Sequence, residues 1–486
     1  MSRRGAVAFL TAGVVPALAL GGAWFWGERT VDRATVDPPT AVAGASSTST
    51  PAAPLFSLRR VPNYLATEAA AGLVGDAVAP LATVVGDQSC LAVMKDGRLV
   101  VDDHAAAPVL PASTTKLVTM ATALDALGAD YRFVTSAAGT VQGDTVVGDL
   151  YLIGGGDPVL VSDGYETLGK YREDAAGAVT QLGDLAQKLV DLGIRHVTGN
   201  VLGDETRYDD QRFLPGWTMQ NVESRDAGPL SALLLNDANV VRDGVARKVD
   251  DPATSAAQRF LELLEERGVD VAGGAIRSPG PAQTAPIATI ESPPLSAIAA
   301  EALLTSDNNT AEMVLKELAA VKAGYVGTSQ GGIEIERQVL GGWGLALPDD
   351  HVLMDGSGLS ADTRLSCGYL VSLLDHLGPS GPLYDGLPVA CESGTLVMDD
   401  KNRAALEGTS ACGKMRAKTG SLGDFGAKAL AGYMPLSDGS TVSFAIIVNA
   451  GAGQAGDIAR PIWVALSDAL ASVPPAPSPD QLAPGA

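Results

Sequence analysis

The chain has 486 residues, of which 46% are hydrophobic, so it is long enough for two domains and apolar enough to fold around a core. Its formal net charge is -22 at pH 7, which excludes the basic surface that nucleic-acid binding requires. We therefore expect no nucleic-acid partner.

The N-terminus has the pattern of an export segment. Arg3 and Arg4 precede an uncharged run over residues 5–26. At ~1.5 Å of helical rise per residue this run would cross a hydrocarbon core of about 30 Å, and the arginines favour a cytoplasmic N-terminus. We predict that residues 1–29 are a signal anchor, with a cleaved signal peptide as the alternative. The remainder would then lie outside the cytoplasm, in the cell envelope, held to the membrane through the N-terminal helix. The Ser-, Thr-, Pro- and Ala-rich residues 30–60 are predicted to be a disordered linker.

Apolar spacing and turn residues predict the elements that follow. The first part of the chain should hold a helix over 64–79, a hairpin over 90–101 and a helix that starts near Pro111. From about 141 to 292 the pattern changes to strands over 146–153, 196–202 and 232–241 that alternate with helices over 178–192 and 257–268. Helices over 294–304, 310–320 and 459–471 and strands over 428–434 and 441–448 then follow. We predict one domain made of 61–140 and 293–472, an inserted α+β domain over 141–292, and a disordered tail over 473–486.

The cysteines are Cys90, Cys367, Cys391 and Cys412, and they lack the spacing of metal ligands. In an oxidising compartment an even number of cysteines favours disulfides, and four cysteines allow three pairings. We expect Cys391 to pair with Cys412, closing a loop of about 20 residues that contributes roughly 3 kcal/mol through chain entropy, and Cys90 to pair with Cys367. Four free buried thiols are the alternative. We expect no metal and no cofactor.

Three short motifs carry the chemistry, and the first is Ser113-Thr114-Thr115-Lys116, just after the predicted helix start at Pro111. Residues i and i+3 of a helix share one face, so the hydroxyl of Ser113 and the amine of Lys116 should be neighbours. A serine nucleophile needs an adjacent base, and lysine becomes one when burial or a second cation lowers its pKa. By itself the motif is weak, because an ordinary first helical turn with a solvated lysine has the same residues.

The second motif is Ser306-Asp307-Asn308, between two predicted helices. It could supply a proton-relay hydroxyl and a substrate-binding amide, although a helix-capping role is favoured when the motif is taken alone. The third motif, Lys418-Thr419-Gly420 followed by Ser421, precedes a predicted strand. It offers a cation, a hydroxyl for a carboxylate and a glycine beside which a substrate backbone fits.

In this order the three motifs resemble those of the penicillin-recognising serine D,D-peptidases. The chain is most similar to the class C low-molecular-mass penicillin-binding proteins, the D-alanyl-D-alanine carboxypeptidase/endopeptidase family. Beyond the first two motifs, the resemblance rests on Tyr151-Leu152-Ile153-Gly154-Gly155-Gly156-Asp157-Pro158, Leu214-Pro215-Gly216-Trp217, Asp355-Gly356-Ser357-Gly358-Leu359-Ser360 and Arg416-Ala417-Lys418-Thr419-Gly420-Ser421-Leu422. It implies an α/β (α+β) fold, namely a β-lactamase-like transpeptidase domain split by an inserted α+β domain. The insertion is shorter than in family members with two nested extra domains, and the loop over 422–427 is slightly longer.

The resemblance implies a serine D-alanyl-D-alanine carboxypeptidase, or additionally a D,D-endopeptidase, that acts on peptidoglycan stem peptides ending in D-Ala-D-Ala and is inhibited by β-lactam antibiotics. Ser113 would form the acyl-enzyme, with Lys116 as its base and Lys418 as an electrostatic aid. Ser306 would pass a proton to the leaving amine, and Asn308 would bind the substrate amide.

The resemblance also implies a set of substrate-binding residues. Thr419, together with Lys418, would hold the terminal carboxylate beside Gly420. The backbone N–H groups of Ser113 and Ser421 would form the oxyanion hole. Asp157 would face the cleft and bind the amino group of a diaminopimelate side chain, although Gly-Asp-Pro is equally a plain turn.

Other functions remain as alternatives. Gly327-Thr328-Ser329-Gln330-Gly331 fits the pattern of a nucleophile elbow, but Ser329 falls between helical patterns and is interpreted as the N-cap of a helix over 330–340. None of the four histidines lies in a sequence pattern that indicates a catalytic or metal-binding role, and no metal-hydrolase motif occurs. A β-lactamase shares the three motifs but usually lacks a long insertion. A catalytically silent wall-binding scaffold of the same fold is the alternative from another class.

Overall fold

The structure, a computed structural model, describes residues 61–483 apart from 84, 85, 87, 163, 164, 166–178, 225, 243, 244 and 281–284. The helices are α1 Val61–Val78, α2 Lys116–Leu127, α3 Leu182–Asp191, α4 Met219–Glu223, α5 Pro252–Glu265, α6 Leu295–Thr305, α7 Asn308–Lys322, α8 Ser329–Gly342, α9 Cys367–Leu377, α10 Pro382–Asp385, α11 Thr395–Met398, α12 Asp400–Leu406, α13 Ala455–Ala471 and α14 Pro479–Leu482.

The strands are β1 Cys90–Lys95, β2 Arg98–Asp103, β3 Val134–Gln142, β4 Thr145–Ile153, β5 Leu160–Val161, β6 Thr180–Gln181, β7 His196–Val197, β8 Val201–Asp204, β9 Asn239–Arg242, β10 Val245–Lys248, β11 Asp270–Val271, β12 Ala275–Arg277, β13 Pro286–Glu291, β14 Arg416–Leu422, β15 Ala427–Pro435 and β16 Thr441–Asn449.

A five-stranded antiparallel sheet joins the two ends of the described chain. Its strand order is β14-β15-β16-β1-β2, so strands from near the C-terminus pair with the first hairpin. Apolar residues lie on both of its faces: Ala429 and Tyr433 belong to the core around α2, whereas Leu430 and Met434 belong to the core around Trp463 of α13. Since helices cover both faces, β15 is buried along almost its whole length.

A seven-stranded sheet uses only strands between β3 and β13. β4 pairs with β3 in antiparallel and with β7 and β8 in parallel orientation. Its core is formed with α3 and α5, where Leu182, Leu185 and Leu189 recur at helical spacing against Phe260. The described residues belong to one compact unit. The domain boundaries at 141 and 292 stay a prediction, and the sheet itself begins at Val134.

Several predicted elements are confirmed with shifted ends. The helix near Pro111 begins as a 3₁₀ turn over Ala112–Thr115 that runs directly into α2. The helix predicted over 178–192 is shortened to α3, because β6 precedes it. α5 starts earlier than expected, because Asp251 caps it by accepting a hydrogen bond from the Thr254 amide and Pro252 occupies its first turn.

Two strand predictions are wrong in part. The strand over 196–202 is divided into β7 and β8, because Asp149 Oδ1 accepts the Asn200 amide hydrogen at 2.7 Å and interrupts the ladder. Of the strand predicted over 232–241, only the last three residues lie in a ladder, as part of β9, which spans Asn239–Arg242. Asn236, Asp237 and Ala238 have φ angles of 54°, 52° and 56°, and the side chain of Asn236 binds the Ser162 amide at 2.8 Å. Apolar residues before this turn are buried without pairing as a strand.

The predicted disulfides are confirmed, since Cys90 is bonded to Cys367 and Cys391 to Cys412. The N-cap predicted at Ser329 is wrong, because Thr328 caps α8 and Ser329 is the first helical residue. In the segment predicted as a disordered tail, Val473 is buried and α14 forms one helical turn that contacts α1.

The signal anchor predicted over 1–29 and the linker over 30–60 lie outside the described residues. Among the described residues, one helical segment, Val61–Ala82, could cross a membrane by length and composition alone. Its Val74 and Val78 are buried in the same core as Trp463, so this helix packs against the five-stranded sheet.

Candidate active site

The three motifs meet at one cavity of about 330 Å³. Ser113, Ser306, Asn308, Thr419 and Ser421 all line it. The cavity lies beside β14, the edge strand of the five-stranded sheet. Segments far apart in the sequence are therefore brought together at this edge.

The 3₁₀ turn before α2 places Ser113 beside Lys116. The amine Nζ of Lys116 lies 3.1 Å from Ser113 Oγ, and it also donates to Asn308 Oδ1 at 2.6 Å and to the Ser357 carbonyl at 2.8 Å. Lys116 is fully buried, because α2 lies at the centre of the core. The lysine is thus held by three oxygen atoms with one of them on the candidate nucleophile.

The Ser306 segment is a tight junction between α6 and α7. Ser306 has a left-handed backbone with φ of 64°, which turns the chain after α6, and Asp307 caps α7 by accepting the Thr310 amide hydrogen. Asn308 is the first residue of α7, and its side-chain amide donates to the Asp226 carbonyl. The sequence analysis treated helix capping and a role in the site as alternatives for this motif. Asp307 provides the cap, and the adjacent Ser306 and Asn308 line the cavity, so both roles occur.

The Lys418 motif lies on β14. Lys418 Nζ donates to Ser306 Oγ at 2.9 Å and to the Thr419 carbonyl at 2.7 Å, and Lys418 is fully buried. A Cβ atom at Gly420 would lie 2.7 Å from the Pro111 carbonyl oxygen, so a side chain there would push the strand away from the turn that carries Ser113. Glycine therefore allows the first and third motifs to pack closely.

Burial sets the ionisation of the lysines. Burial lowers the pKa of Lys116 to about 8, although the negative charges of Asp307 and Asp355 act in the opposite direction. Burial, followed by the neighbouring amines of Lys116 and Lys428, lowers the pKa of Lys418 well below its ordinary value. A neutral amine on Lys116 is therefore accessible near neutral pH, as a base for Ser113 requires.

A buried carboxyl group, that of Glu312, supports the turn that holds Lys116. Glu312 Oε1 accepts the amide hydrogens of Gly356 and Ser357 at 3.0 and 2.8 Å, which fixes the turn whose Ser357 carbonyl holds Lys116. Burial and the charge of Asp355 raise the pKa of Glu312 to about 8. The sequence analysis assigned no role to Glu312. Its spacing of four residues from Asn308 could have indicated a place beside the site, because residues i and i+4 of a helix share a face.

Asp157 is not brought together with the motifs. It is 1% exposed, its Oδ1 accepts the Val159 amide hydrogen at 2.9 Å, and it is not among the described residues that line the cavity. The turn interpretation of Gly-Asp-Pro accounts for this geometry. The contact predicted between Asp157 and a diaminopimelate side chain stays a prediction.

Thr395, Asp399 and Lys428 are among the lining residues that the sequence analysis missed. Thr395 Oγ1 lies 2.7 Å from Thr419 Oγ1, and Lys428 Nζ donates to Ser421 Oγ at 2.8 Å. The predicted strand over 428–434 directly after the third motif was a usable signal, because an antiparallel hairpin places Lys428 opposite Ser421.

A serine, a histidine and an aspartate also come together elsewhere. His351 Nδ1 lies 2.9 Å from Asp350 Oδ1, and His351 Nε2 lies 2.8 Å from Ser366 Oγ. Ser366 is 3% exposed and caps α9, so its hydroxyl is engaged as a helix cap and closed off from substrate. This array does not provide the accessible nucleophile of a Ser-His-Asp hydrolase.

Comparison with known proteins agrees with the motif order. The pattern of the D-Ala-D-Ala carboxypeptidase 3 (S13) family matches residues 79–245 and 241–468. A D-alanyl-D-alanine carboxypeptidase from Actinomadura sp. (strain R39) is 30% identical over 445 residues, which cover 75% of this chain and 76% of that protein. Carboxypeptidase DacB from Mycolicibacterium smegmatis is 30% identical over 378 residues, which cover 76% of each chain.

A solved structure shares the fold. The crystal structure of penicillin binding protein 4 from Haemophilus influenzae matches with a TM-score of 0.66 at 19% identity, covering 80% of this chain and 97% of that chain. The same protein complexed with a β-lactam matches with a TM-score of 0.59 at 20% identity, covering 80% of this chain and 99% of that chain. The mixed α/β fold expected from the sequence is thereby confirmed.

Proposed function

The chain belongs to the D-Ala-D-Ala carboxypeptidase 3 (S13) family, and we propose that it works through an acyl-enzyme on Ser113. It is a serine-type D-alanyl-D-alanine carboxypeptidase of the low-molecular-mass penicillin-binding proteins. The observation that carries the proposal is the 3.1 Å contact between Ser113 Oγ and the buried amine of Lys116. The substrate would be a peptidoglycan stem peptide that ends in D-Ala-D-Ala.

In the acylation step, Ser113 Oγ attacks the carbonyl carbon between the two D-alanines and its proton passes to Lys116 Nζ. The backbone N–H groups of Ser113 and Ser421 receive the developing oxyanion, each contributing about 3 kcal/mol in the transition state. As the C–N bond breaks, Ser306 Oγ gives its proton to the departing amine and receives one from Lys418 Nζ, which in turn receives the proton that Lys116 took from Ser113. This route is supported by the 2.9 Å contact between Lys418 Nζ and Ser306 Oγ.

In the deacylation step, Lys116 Nζ takes a proton from the water that attacks the ester carbonyl at Ser113. As the bond to Ser113 Oγ breaks and the shortened peptide leaves, Lys116 passes this proton to Oγ, so the enzyme ends in its starting state. Asn308 would hydrogen-bond an amide group of the substrate peptide, and Thr419 with Gly420 and Ser421 would hold the C-terminal end of that peptide. Asn308 and Thr419 line the same cavity from two different elements, α7 and β14, which supports a peptide bound between them.

The proposal extends to location and to inhibitors. A family that trims peptidoglycan works outside the cytoplasm, and the two disulfides suit an oxidising compartment. We assign the membrane attachment to residues 5–26. A β-lactam would acylate Ser113 in place of the peptide. The segment over 141–292 would act as an inserted domain that closes one side of the cavity with Asn221 and Asp226.

The experiment that tests this function measures D-alanine released from an acyl-D-Ala-D-Ala peptide by residues 58–486. Wild-type protein is expected to release it, and Ser113→Ala to lose the release at least a thousandfold; Ser372→Ala, a serine at a distance on α9, is the control and should remain active. A Ser113→Ala variant with wild-type rates would overturn the proposal. Cleavage of a cross-linked peptide dimer would add endopeptidase activity, and fast hydrolysis of penicillin without release of D-alanine would favour a β-lactamase.

A further inference from the structure

Lys428 is the only lysine or arginine among the described residues that line the cavity. Four aspartates line it as well, namely Asp226, Asp307, Asp399 and Asp424. A peptide that ends in a free carboxylate is repelled by such a wall unless a cation compensates. The position of Lys428 therefore bears directly on which substrates the cavity accepts.

Lys418 is poorly placed to be that cation. Its Nζ already donates to Ser306 Oγ and to the Thr419 carbonyl, and the residue is fully buried. Along β14, alternate residues face opposite sides of the sheet, so Lys418 projects away from the face that carries Thr419 and Ser421. Burial and two neighbouring amines lower the pKa of Lys418 well below its ordinary value, which disfavours a positive charge on it.

Lys428 shares a face with the two hydroxyls. It pairs directly opposite Ser421 across the β14–β15 ladder, and directly opposed residues of an antiparallel pair point to the same side. Thr419 lies two residues from Ser421 and so points to that side as well. Lys428 Nζ donates to Ser421 Oγ at 2.8 Å. Two hydroxyls and one ammonium group thus form a single polar corner of the cavity.

The surroundings of Lys428 keep it in place and charged at neutral pH. Its Nζ lies 3.7 Å from Asp399 Oδ2 and 5.3 Å from the centre of the Trp463 ring. Burial lowers the pKa of Lys428 to about 8; Asp399 opposes this, while the cations Arg460 and Lys401 add to it. The group is therefore mainly protonated at pH 7 and loses its charge as the pH rises through about 8.

We propose that Lys428 selects peptides with a free C-terminal carboxylate: its ammonium group pairs with the carboxylate that the hydroxyls of Thr419 and Ser421 hydrogen-bond. The inference rests on the proposed function, because it assumes that the peptide end lies against β14. It assigns a specificity-determining role to a residue outside the three motifs.

The test compares a D-Ala-D-Ala peptide with its C-terminal amide, which has the same shape without the charge. For Lys428→Met, the KM of the free-acid peptide should rise at least tenfold while kcat changes less than threefold, and the KM of the amide should stay unchanged. Lys428→Arg should keep the preference for the acid to within threefold. Lys414→Met, which removes an exposed lysine from the turn before β14, is the matched control and should behave as wild type.

A second measurement needs no variant. In the wild type, the ratio of kcat/KM for the acid to that for the amide should fall as the pH rises through about 8, because Lys428 then loses its proton while the effect of Lys116 cancels in the ratio. Equal losses for both peptides in Lys428→Met, or a ratio independent of pH, would overturn the inference. If the wild type processes neither peptide and is not acylated by penicillin, the proposed function fails instead.

Discussion

At the residue scale, the amine of Lys116 is the group on which the chemistry depends. It has no exposed surface and donates to three oxygen atoms, and burial lowers its pKa to about 8. A general base must be neutral to accept a proton, so the active fraction of the enzyme should grow as the pH rises towards this value.

We therefore predict that kcat/KM rises about tenfold per pH unit between roughly pH 6 and 7.5 and levels off near pH 8. Lys116→Arg should lose activity by about 10²–10⁴, because a guanidinium does not release its proton in this range. Steady-state rates on the amide peptide, whose binding does not involve the charge of Lys428, measure this limb. Lys322→Arg, an exposed exchange on α7, is the control.

A flat profile from pH 6 to 8, or a Lys116→Arg variant within threefold of the wild type, would mean that another group takes the proton from Ser113.

Sequence reasoning at this scale located the residues that motif spacing defines. Ser113 and Lys116 share a helical face, and Lys418 Nζ donates to Ser306 Oγ. It missed Lys428, because only the register of the β14–β15 hairpin places that residue opposite Ser421. Asp157 was assigned to the cleft on resemblance alone; its carboxylate accepts the Val159 amide hydrogen, and its role at the site stays a prediction.

At the element scale, a disulfide-closed loop supplies one wall of the cavity. Cys391 and Cys412 are 21 residues apart, and the loop between them contributes Thr395, Asp399 and Asn402 to the lining. Thr395 contacts Thr419 on β14 at 2.7 Å. The loop contains the short helices α11 and α12, and its Leu396, Leu406 and Ala411 are buried in the core around Trp463, so the covalent closure and this packing together hold it in position.

Replacing both cysteines by serine, as Cys391→Ser with Cys412→Ser, should lower the free energy of unfolding by about 3 kcal/mol through chain entropy. It should also raise KM several-fold, because Thr395 and Asp399 lose their fixed positions. Denaturant unfolding and steady-state kinetics measure the two effects.

The matched control is Cys90→Ala with Cys367→Ala, which removes the bridge between β1 and α9 in the core. It should destabilise the protein with little change in KM. An unchanged KM after removal of the Cys391–Cys412 bridge would contradict a role for the loop in the site.

Elements with strong periodic patterns were predictable from the sequence, and elements governed by local side-chain contacts were not. The apolar strands β15 and β16 and the helices α6, α7 and α13 lie where the patterns indicated. The apolar run before Asn236 had the composition of a strand, but three successive left-handed residues divert the chain. Composition does not report such a turn, because Ala238 has no special preference for that conformation.

At the scale of the whole molecule, the segment between β8 and α4 is fastened to α7, the helix that begins with Asn308. Arg207 makes two contacts with the fully buried carboxylate of Glu317, at 2.8 and 2.6 Å, and Tyr208 donates to the same carboxylate at 2.9 Å. Lys316 pairs with Asp209 beside them. These contacts connect the seven-stranded sheet with the helix that carries part of the site.

We predict that Arg207→Met lowers the free energy of unfolding by about 3 kcal/mol, because it leaves the buried carboxylate of Glu317 without its cation. Arg403→Met breaks an exposed pair with Asp400 and should cost less than about 1 kcal/mol. Equilibrium denaturant unfolding measures both values. Equal effects of the two variants would show that the Arg207 contact does not fasten the segment.

The overall arrangement could be inferred from the change of pattern along the sequence and from the resemblance that the motifs revealed. The pairing of β1 with β16, and the docking of Arg207 on Glu317, could not be inferred, because they join residues far apart that have no common period.

The central claim is that Ser113 forms the covalent acyl intermediate, and intact-mass analysis of residues 58–486 after exposure to penicillin tests it most directly. We predict one adduct per chain, located by peptide mapping on the peptide that contains Ser113 and absent from Ser113→Ala. An adduct that persists in Ser113→Ala, or that maps to Ser306 or Ser421, would contradict the account.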